Sequence, residues 1–194
     1  MQKIIGITGG TGCGKTTVLD VLKELGFHVI DCDALYHRLL QEDADILKAI
    51  DDTFPGVVEN GTLQRKVLGA RVFADKAALE KLNKTVWPFV DRAVEKAIHA
   101  RTPQNCAIDA IGLFESGLAR LCTHTVAVTA PTKARVERLM ARDGITEEYA
   151  SLRISAQEQN ETFAARCDLV LDNHFPAEAD FRQYAATTLK ETIL

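Results

Sequence analysis

The sequence predicts an α/β fold in which a parallel β-sheet is flanked by helices. Five short apolar runs alternate along the chain with longer segments whose apolar residues recur at helical spacing, and this alternation is typical of parallel sheets. Of the 194 residues, 46% are hydrophobic and 26% are charged, which are values of an ordinary globular protein. The length fits one domain with a full core, so we treat residues 1–194 as a single domain.

The composition argues against nucleic-acid binding and membrane insertion. The net charge is −4, whereas proteins that bind nucleic acid usually present a basic face to its phosphates. No apolar run reaches the roughly 18–20 residues that span a bilayer, and the amino terminus lacks the features of a signal peptide. The five cysteines form no Cys-x-x-Cys pair and are typical of reduced thiols. We therefore predict a cytoplasmic protein.

The first predicted strand leads into a glycine-rich turn and then into a helix. In this helix Val18, Val21, Leu22 and Leu25 recur at helical spacing, and Gly26 ends it. A pair of helices follows the fourth strand, and a terminal helix follows the fifth. The predicted strands are residues 3–8, 27–30, 106–111, 125–129 and 169–171.

Residues 34–101 form an insertion between the second and third strands. The segment is mostly helical by its spacing, has turns at residues 54–56 and 59–61, and shows no convincing strand. We interpret it as a ligand-binding module or a lid beside the core. One helix is indicated by an apolar stripe of Val86, Phe89, Val90, Ala93, Val94, Ala97 and Ile98.

The turn after the first strand matches the phosphate-binding loop G-x-x-x-x-G-K-[ST] in full. Glycines allow backbone N–H groups to point at phosphate oxygens, and the helix that follows presents its positive end to the same anion. We expect Lys15 to reach the β- and γ-phosphates of ATP and the Thr16 hydroxyl to bind Mg²⁺. The predicted nucleotide-binding residues of this P-loop core are Gly9, Gly10, Thr11, Gly12, Cys13, Gly14, Lys15, Thr16 and Thr17.

Two questions stay open at this loop. A glycine-rich turn between a strand and a helix need not bind a nucleotide, although the complete motif in the right structural context favours binding. Cys13 is either a thiol made reactive by the helix N-terminus or only a small residue that fits the loop.

Missing motifs argue against several classes of P-loop protein. A GTPase switch requires Asn-Lys-x-Asp, and the nearest match, Asn83-Lys84-Thr85-Val86, lacks the aspartate. Protein kinases use a different loop and a His-Arg-Asp motif that this sequence lacks. A small-molecule kinase remains, and its transition state requires cations that close over the transferred phosphoryl group.

Arginines that suit this task lie within approximately residues 132–160. Arg138 and Arg142 are four residues apart and share a helix face, Gly144 breaks the helix, and Arg153 lies on the next one. We interpret this helix–turn–helix as a lid whose arginines bind the nucleotide phosphates, with Arg142 also acting in catalysis. A solvated face of ordinary Glu–Arg pairs is the alternative.

Three carboxylates follow or end predicted strands, at the edge where open α/β sheets bind ligands. Asp33 is the candidate base for the acceptor hydroxyl, and Asp31 acts on Mg²⁺ through water or pairs with Lys15. Either aspartate is alternatively an N-cap for a helix that begins at Ala34. Asp109, on the third strand, is the other candidate on the metal side.

These residues resemble those of the bacterial dephospho-CoA kinases, and the similarity extends over nearly the whole chain. It includes the loop with its double glycine, an Ile-Asp-Cys-Asp element similar to the family's Ile-Asp-Ala-Asp, and the predicted lid. The segments are residues 5–18, 29–33, 61–65 with 72–73, 113–115 and 142–157, together with Asp168 and Asn173.

The resemblance implies that the γ-phosphoryl group of ATP passes to the 3′-hydroxyl of the ribose of dephospho-CoA, the last step of coenzyme A synthesis. It implies that Asp33 is the base and that Lys15 and the loop hold ATP. Arg138, Arg142 and Arg153 then close the lid, and residues 34–101 hold the acceptor.

Three departures from the family pattern fall in the acceptor half. Trp87 precedes Pro88 where the family usually has histidine, Gly112 replaces a leucine, and Gln64 stands where aspartate or asparagine is common. They leave the contacts on the CoA side more open than the chemistry of ATP.

The spacing of the residues does not by itself name the acceptor or the oligomeric state. A kinase of the same fold that acts on a nucleoside monophosphate or a sugar acid remains an alternative, as does a regulatory protein that binds ATP and acts through a partner. The lid arginines and the Asp31–Asp33 pair favour an enzyme.

Overall fold

A computed structural model of the chain describes residues 1–72 and 75–194. Phe73, part of one segment that carries the family resemblance, lies outside the described residues. The described elements are, in chain order, β1 (Ile4–Thr8), α1 (Lys15–Glu24), β2 (His28–Asp31), α2 (Cys32–Glu42), α3 (Ala44–Thr53), β3 (Val58–Glu59), β4 (Thr62–Leu63), α4 (Arg65–Val72), α5 (Lys76–His99), β5 (Cys106–Asp109), a 3₁₀ helix (Leu118–Leu121), β6 (His124–Thr129), α6 (Thr132–Asp143), α7 (Glu147–Ser155), α8 (Asn160–Arg166), β7 (Leu169–Asp172) and α9 (Glu178–Thr192).

The main sheet has five parallel strands in the order β2-β5-β1-β6-β7. Its register places Asp31, at the end of β2, beside Asp109, at the end of β5. Because parallel strands end at the same edge of a sheet, these carboxylates and the loop after β1 meet there. The predicted α/β class is confirmed, and all five predicted strands are present with bounds shifted by one or two residues.

Helices cover both faces of the sheet and bury it. On one face Ile5 and Ile7 of β1 pack with residues of α1 and α9, among them Val18 and Phe181. On the other face Ile108 of β5 packs against the apolar stripe of α5. Burial on both faces is what a parallel sheet requires. Within the described ranges, no helix combines the length and the apolar character needed to cross a membrane.

The insertion after β2 has a small core of its own, built from α2, α3, α4 and α5. One prediction is wrong here, because the segment contains an antiparallel hairpin of β3 and β4 where the sequence indicated no strand. Its turn was predicted, and Asn60 and Gly61 have φ values of 50° and 72°, as Asn-Gly hairpin turns require. Each strand has only two residues, so no apolar alternation could reveal it.

The first helix of the insertion, α2, begins at Cys32, two residues before the predicted start at Ala34. The reason is the Asp31 side chain, which caps the helix by accepting a hydrogen bond from the Ala34 N–H at 2.9 Å. The capping role left open between two aspartates therefore belongs to Asp31. Asp33 lies inside the first turn of α2, with its side chain exposed at the edge of the sheet.

Two helices, α6 and α7, occupy the segment that was predicted as a lid. Gly144 follows α6 with a φ of 64°, the left-handed conformation that commonly ends helices. The Thr146 hydroxyl then caps α7 by accepting a hydrogen bond from the Tyr149 N–H. The two helices share a small apolar cluster, so they form one compact hairpin. The short helix α8 follows at Asn160 and was not predicted.

Asp168 joins the last two strands at the end of the sheet opposite the phosphate loop. Its Oδ2 accepts hydrogen bonds from the N–H and the hydroxyl of Thr125, at 2.7 and 2.8 Å. These bonds, the backbone one first, hold the pKa of the Asp168 carboxyl below its usual value. A matched contact lies at the other end of β7, where Asp172 accepts from the Thr129 hydroxyl at 2.9 Å.

We expect Asp168→Ala to lower the free energy of unfolding by about 1 kcal/mol at neutral pH, since two hydrogen bonds to an exposed carboxylate are lost. A depressed folded pKa stabilises the wild type above the unfolded pKa, and this contribution is lost as the pH falls through the folded pKa. In urea denaturation, the gap between wild type and variant should therefore close in acid. Asp172→Ala loses the hydrogen bond from the Thr129 hydroxyl and an exposed 3.5 Å contact with His174, but no bond from a backbone N–H, so it should lower the free energy of unfolding by less. A gap independent of pH would contradict this role of the Asp168 charge.

Candidate active site

The phosphate loop fills the space between β1 and α1 at the carboxyl edge of the sheet. Gly14 caps α1 with a φ of 103°, which directs the first N–H groups of the helix into the loop. The Lys15 side chain lies along the loop, and its Nζ donates a hydrogen bond to the Gly9 carbonyl at 2.8 Å. This is the strand–loop–helix context that the sequence motif requires.

Two glycines are required because the loop backbone touches its neighbours directly. Gly9 has a φ of 135°, and a Cβ there would overlap the carbonyl oxygen of Val128 in β6. Gly12 has a φ of 78°, and a Cβ there would come within 2.9 Å of the Arg135 carbonyl oxygen in α6. The loop is therefore held between β6 and α6 with no room for a side chain.

A cavity of about 420 Å³ opens above the loop, and most of the predicted site residues line it. The loop supplies one wall, α6 and α7 supply another, and two carboxylates complete it. Its polar lining suits a polyphosphate. The predicted residues on its wall are Gly10, Thr11, Gly12, Gly14, Lys15, Thr16, Asp33, Arg138, Arg142 and Arg153, together with Asp109.

Four residues of the sequence analysis lie off this wall. The side chain of Cys13 is fully buried in the main core, Gly9 contributes its carbonyl to Lys15, and Thr17 is buried and donates to Glu178 Oε1 at 3.1 Å. Asp31 is occupied in capping α2. The pairing of Asp31 with Lys15, which the sequence left open, does not occur among the described contacts.

Two further cavities adjoin the main one, and each shares residues with it. A second cavity of about 270 Å³ lies between α2, α5 and the segment after β5, and it shares Asp33 and Ile111 with the first. A third cavity of about 290 Å³ lies beside the loop after β7 and shares Gly14 and Arg138 with the first. The three cavities thus form one row, with the phosphate loop in the middle and Asp33 at one junction.

Comparison with known proteins agrees with this geometry. A family model described as dephospho-CoA kinase matches residues 3–178. A dephospho-CoA kinase of Deinococcus radiodurans is 40% identical over 178 residues, which are 90% of this chain and 86% of the relative. The chain belongs to the dephospho-CoA kinase family. It is accordingly an ATP-dependent kinase, so the resemblance based on the motifs is confirmed and the regulatory alternative falls away.

Solved structures of similar proteins show the same fold. A Thermus thermophilus protein superposes with a TM-score of 0.80 at 33% identity, covering 100% of this chain and 99% of that one. A dephospho-CoA kinase of Campylobacter jejuni gives a TM-score of 0.69 at 26% identity, covering 98% and 97%. The family fold therefore extends through the insertion and the lid as well as the sheet.

Lys15 and Asp109 line the main cavity and carry opposite charges that act on each other. Burial lowers the pKa of the Lys15 ammonium, and the Asp109 carboxylate is the first of the charges that oppose this shift. Burial likewise raises the pKa of Asp109, and Lys15 opposes it, while Asp31 and Asp33 add to it. Each charge thus partly offsets the effect of burial on the other, and a phosphate beside Lys15 or a cation beside Asp109 would act in the same sense.

The two outer arginines of the lid share one carboxylate. Arg142 Nε donates to Asp143 Oδ1 at 2.7 Å, and Arg153 Nη1 donates to Asp143 Oδ2 at 2.6 Å. These hydrogen bonds, the one from Arg142 first, hold the pKa of the Asp143 carboxyl well below its usual range. Arg138 is closer to the loop, and its Nη1 donates to the Gly12 carbonyl at 3.1 Å. Three cations therefore border the space above the loop.

A buried contact between the lid and the loop was missed by the sequence analysis. Arg135, 3% exposed, donates from Nε to the Thr11 carbonyl at 2.9 Å and from Nη2 to Gln157 Oε1 at 3.2 Å. The same Gln157 oxygen accepts from the Thr11 N–H at 2.8 Å. The signal was present, because Arg135 is three residues before Arg138 and shares its helix face.

A second missed contact holds the other side of the loop. The buried Asn173, which follows β7, donates from Nδ2 to the Cys13 carbonyl at 2.9 Å.

Burial raises the pKa of the Cys13 thiol, although Arg135 and Lys15 act in the opposite sense. The structure therefore favours the interpretation of Cys13 as a small packing residue over that of a reactive thiol.

We expect Gly12→Ala to raise the KM for ATP by on the order of tenfold, because the new methyl group pushes the loop away from α6. Gly26→Ala is the matched control, since Gly26 has a similar φ of 86° but open space around it. An alanine in the left-handed conformation should lower the free energy of unfolding of both variants by about 1 kcal/mol. Thermal denaturation checks that this loss is equal, and any difference in the KM for ATP between the two variants then reports the contact with α6 alone. Normal ATP affinity in Gly12→Ala would show that contact with α6 does not position the loop.

Proposed function

We propose that this enzyme transfers the γ-phosphoryl group of ATP to the 3′-hydroxyl of the ribose of dephospho-CoA, with Asp33 as the base. The observation that carries the proposal is the position of Asp33, which lines both the cavity above the phosphate loop and the second cavity beside it. A hydroxyl at this junction is in reach of a carboxylate on one side and of the transferred phosphorus on the other. The acceptor is identified by the family to which the chain belongs and by its relatives, which are named dephospho-CoA kinases.

The order of the three cavities determines how the nucleotide lies in the site. With its phosphates over the loop, its sugar and base extend past Gly14 and Arg138 into the third cavity, away from Asp33. That cavity is bordered by Phe175 and by Arg138, whose Nη2 donates to the Phe175 carbonyl at 3.4 Å. Aromatic and guanidinium groups both stack on purine rings, which supports this assignment of the base.

The residues of the main cavity fit Mg²⁺ bound together with the nucleotide. The Thr16 hydroxyl and the Asp109 carboxylate both line it, and Mg²⁺ is usually held by one or two protein oxygens, several waters and the phosphates of the substrate. Among the described residues no group of three or more acidic, histidine or cysteine side chains is placed to hold a metal ion. When bound, the ion would neutralise negative charge on the phosphates of the nucleotide.

The protein groups have separate tasks in the proposed transfer. Asp33 accepts the proton of the acceptor hydroxyl as its oxygen bonds to the γ-phosphorus. Lys15 leaves the Gly9 carbonyl, 2.8 Å away here, for the β- and γ-phosphate oxygens. Arg142 and Arg153 leave Asp143 and turn to the transferred group, where their charges stabilise the transition state.

Acceptor binding and closure over the nucleotide are assigned to different segments of the chain. We propose that residues 34–101 hold the acceptor, because α2 and α5 form walls of the second cavity. Residues 132–160 act as the lid, because α6 and α7 bring their arginines to the first cavity. Both belong to a single domain around one sheet, and we place the reaction in the cytoplasm, where ATP is available to a coenzyme A pathway enzyme.

The acceptor is tested by measuring ADP release with a panel of alcohols. We expect turnover with dephospho-CoA well above the background with ATP alone, and only background rates with a nucleoside monophosphate or a sugar acid. The reason is that the relatives of this chain are named dephospho-CoA kinases, and the aromatic, mainly apolar cavity beside Asp33 does not suit a charged sugar acid. Equal rates with all acceptors, or none with dephospho-CoA, would refute the assignment.

We expect Asp33→Asn to lower kcat by roughly 10²–10⁴, the range for a lost general base, with little change in ATP affinity. Asp31→Asn is the matched control two residues away, because an asparagine side chain still accepts the capping hydrogen bond from Ala34 and Asp31 lies off the cavity wall. Rapid-quench kinetics and nucleotide titration separate the two effects. A comparable loss of ATP affinity in Asp33→Asn would assign Asp33 to the metal instead.

A further inference from the structure

The second cavity contains the only tryptophan of the chain, Trp87. Trp87 lies on α5 and is partly exposed, with its apolar surface packed against the core of the insertion. Tyr36 of α2 lines the same cavity. The cavity thus has two aromatic walls from two different helices.

The charges of this lining exclude a phosphate as its occupant. Among the described residues that line the cavity, no lysine, arginine or histidine is present, and Asp33 adds a negative charge at its junction with the first cavity. Burying a phosphate beside a carboxylate without a cation is strongly unfavourable. The cavity therefore suits a flat, uncharged group, for which Asn83 and Ser116 supply polar contacts.

The covalent structure of dephospho-CoA indicates which of its groups can occupy the second cavity. The reacting 3′-hydroxyl must lie at Asp33, and the adenine base is bonded to the same ribose ring. The pantetheine arm, by contrast, is separated from that ribose by the 5′-diphosphate, which this lining does not accommodate. Only the base is at once near the reacting hydroxyl, flat and uncharged.

We propose that Trp87 is an acceptor-binding residue that packs against the adenine base of dephospho-CoA in this second cavity. The inference rests on the proposed function and adds to it which end of the acceptor enters the insertion. Aromatic side chains and nucleobases attract each other through their faces. Because the indole packs against the core of the insertion, part of its surface is held in place before the acceptor arrives.

Steady-state kinetics of variants test the contact. Loss of one base–aromatic contact is expected to raise the KM for dephospho-CoA in Trp87→Ala by about 5- to 100-fold, while the KM for ATP stays within about twofold. Trp87→Phe keeps a ring and should stay within about fivefold of wild type. Phe89→Ala is the matched control, because Phe89 is partly buried on the same helix but does not line the cavity.

Intrinsic fluorescence of the wild-type enzyme gives a second readout that needs no variant to fold. Trp87 is the sole indole, so its emission reports this cavity directly. With the nucleotide site saturated by ADP, dephospho-CoA and 5′-AMP should change the emission, and 4′-phosphopantetheine, which has no base, should not. A change with 4′-phosphopantetheine alone would assign the cavity to the pantetheine arm and overturn the proposal.

The outcomes separate this inference from the proposed function. If the wild type phosphorylates dephospho-CoA but Trp87→Ala keeps the same KM, the contact with the base is wrong and the function stands. If the wild type does not phosphorylate dephospho-CoA at all, the proposed function fails first and the contact falls with it. A raised KM for dephospho-CoA in Trp87→Ala, with Phe89→Ala unchanged, supports both.

Discussion

The active site depends on the direct packing of the phosphate loop against α6. No side chain separates the two at Gly12, and a methyl group there would come within 2.9 Å of the Arg135 carbonyl. The contact fixes the distance between the loop, which holds phosphate, and the helix that carries Arg138 and Arg142. Catalysis of phosphoryl transfer is mainly positioning and charge stabilisation, so this spacing is the quantity that the fold must hold constant.

Other contacts brace the loop from the remaining sides. Arg135 and Gln157 hold its Thr11 segment from the lid side, while Asn173 holds the Cys13 carbonyl from the end of β7. At the same edge of the sheet, the end of β2 supplies Asp31, which caps α2, and α2 presents Asp33 to the cavities. One edge of a parallel sheet thereby brings the phosphate loop, Asp33 and Asp109 to one cavity, at the place where open α/β folds commonly bind ligands.

Much of this could be predicted where the information is local in sequence. The loop motif, the apolar runs of the strands and the four-residue spacing of Arg138 and Arg142 all lie within short windows, so pattern alone found them. Gln157 and Asn173 could not be assigned in this way, because they contact residues 146 and 160 positions away. The hairpin at residues 58–63 was missed for a different reason, since strands of two residues carry no periodicity.

The pairing of Arg142 and Arg153 with Asp143 has a consequence for entropy. A free arginine side chain samples many rotamers and loses up to about 2 kcal/mol of that freedom when it is fixed in place. Because Asp143 pairs with both guanidinium groups, each arginine has already lost part of this freedom. In the mechanism proposed above, each arginine would exchange one anionic partner for another, so binding would require little further ordering of these two side chains.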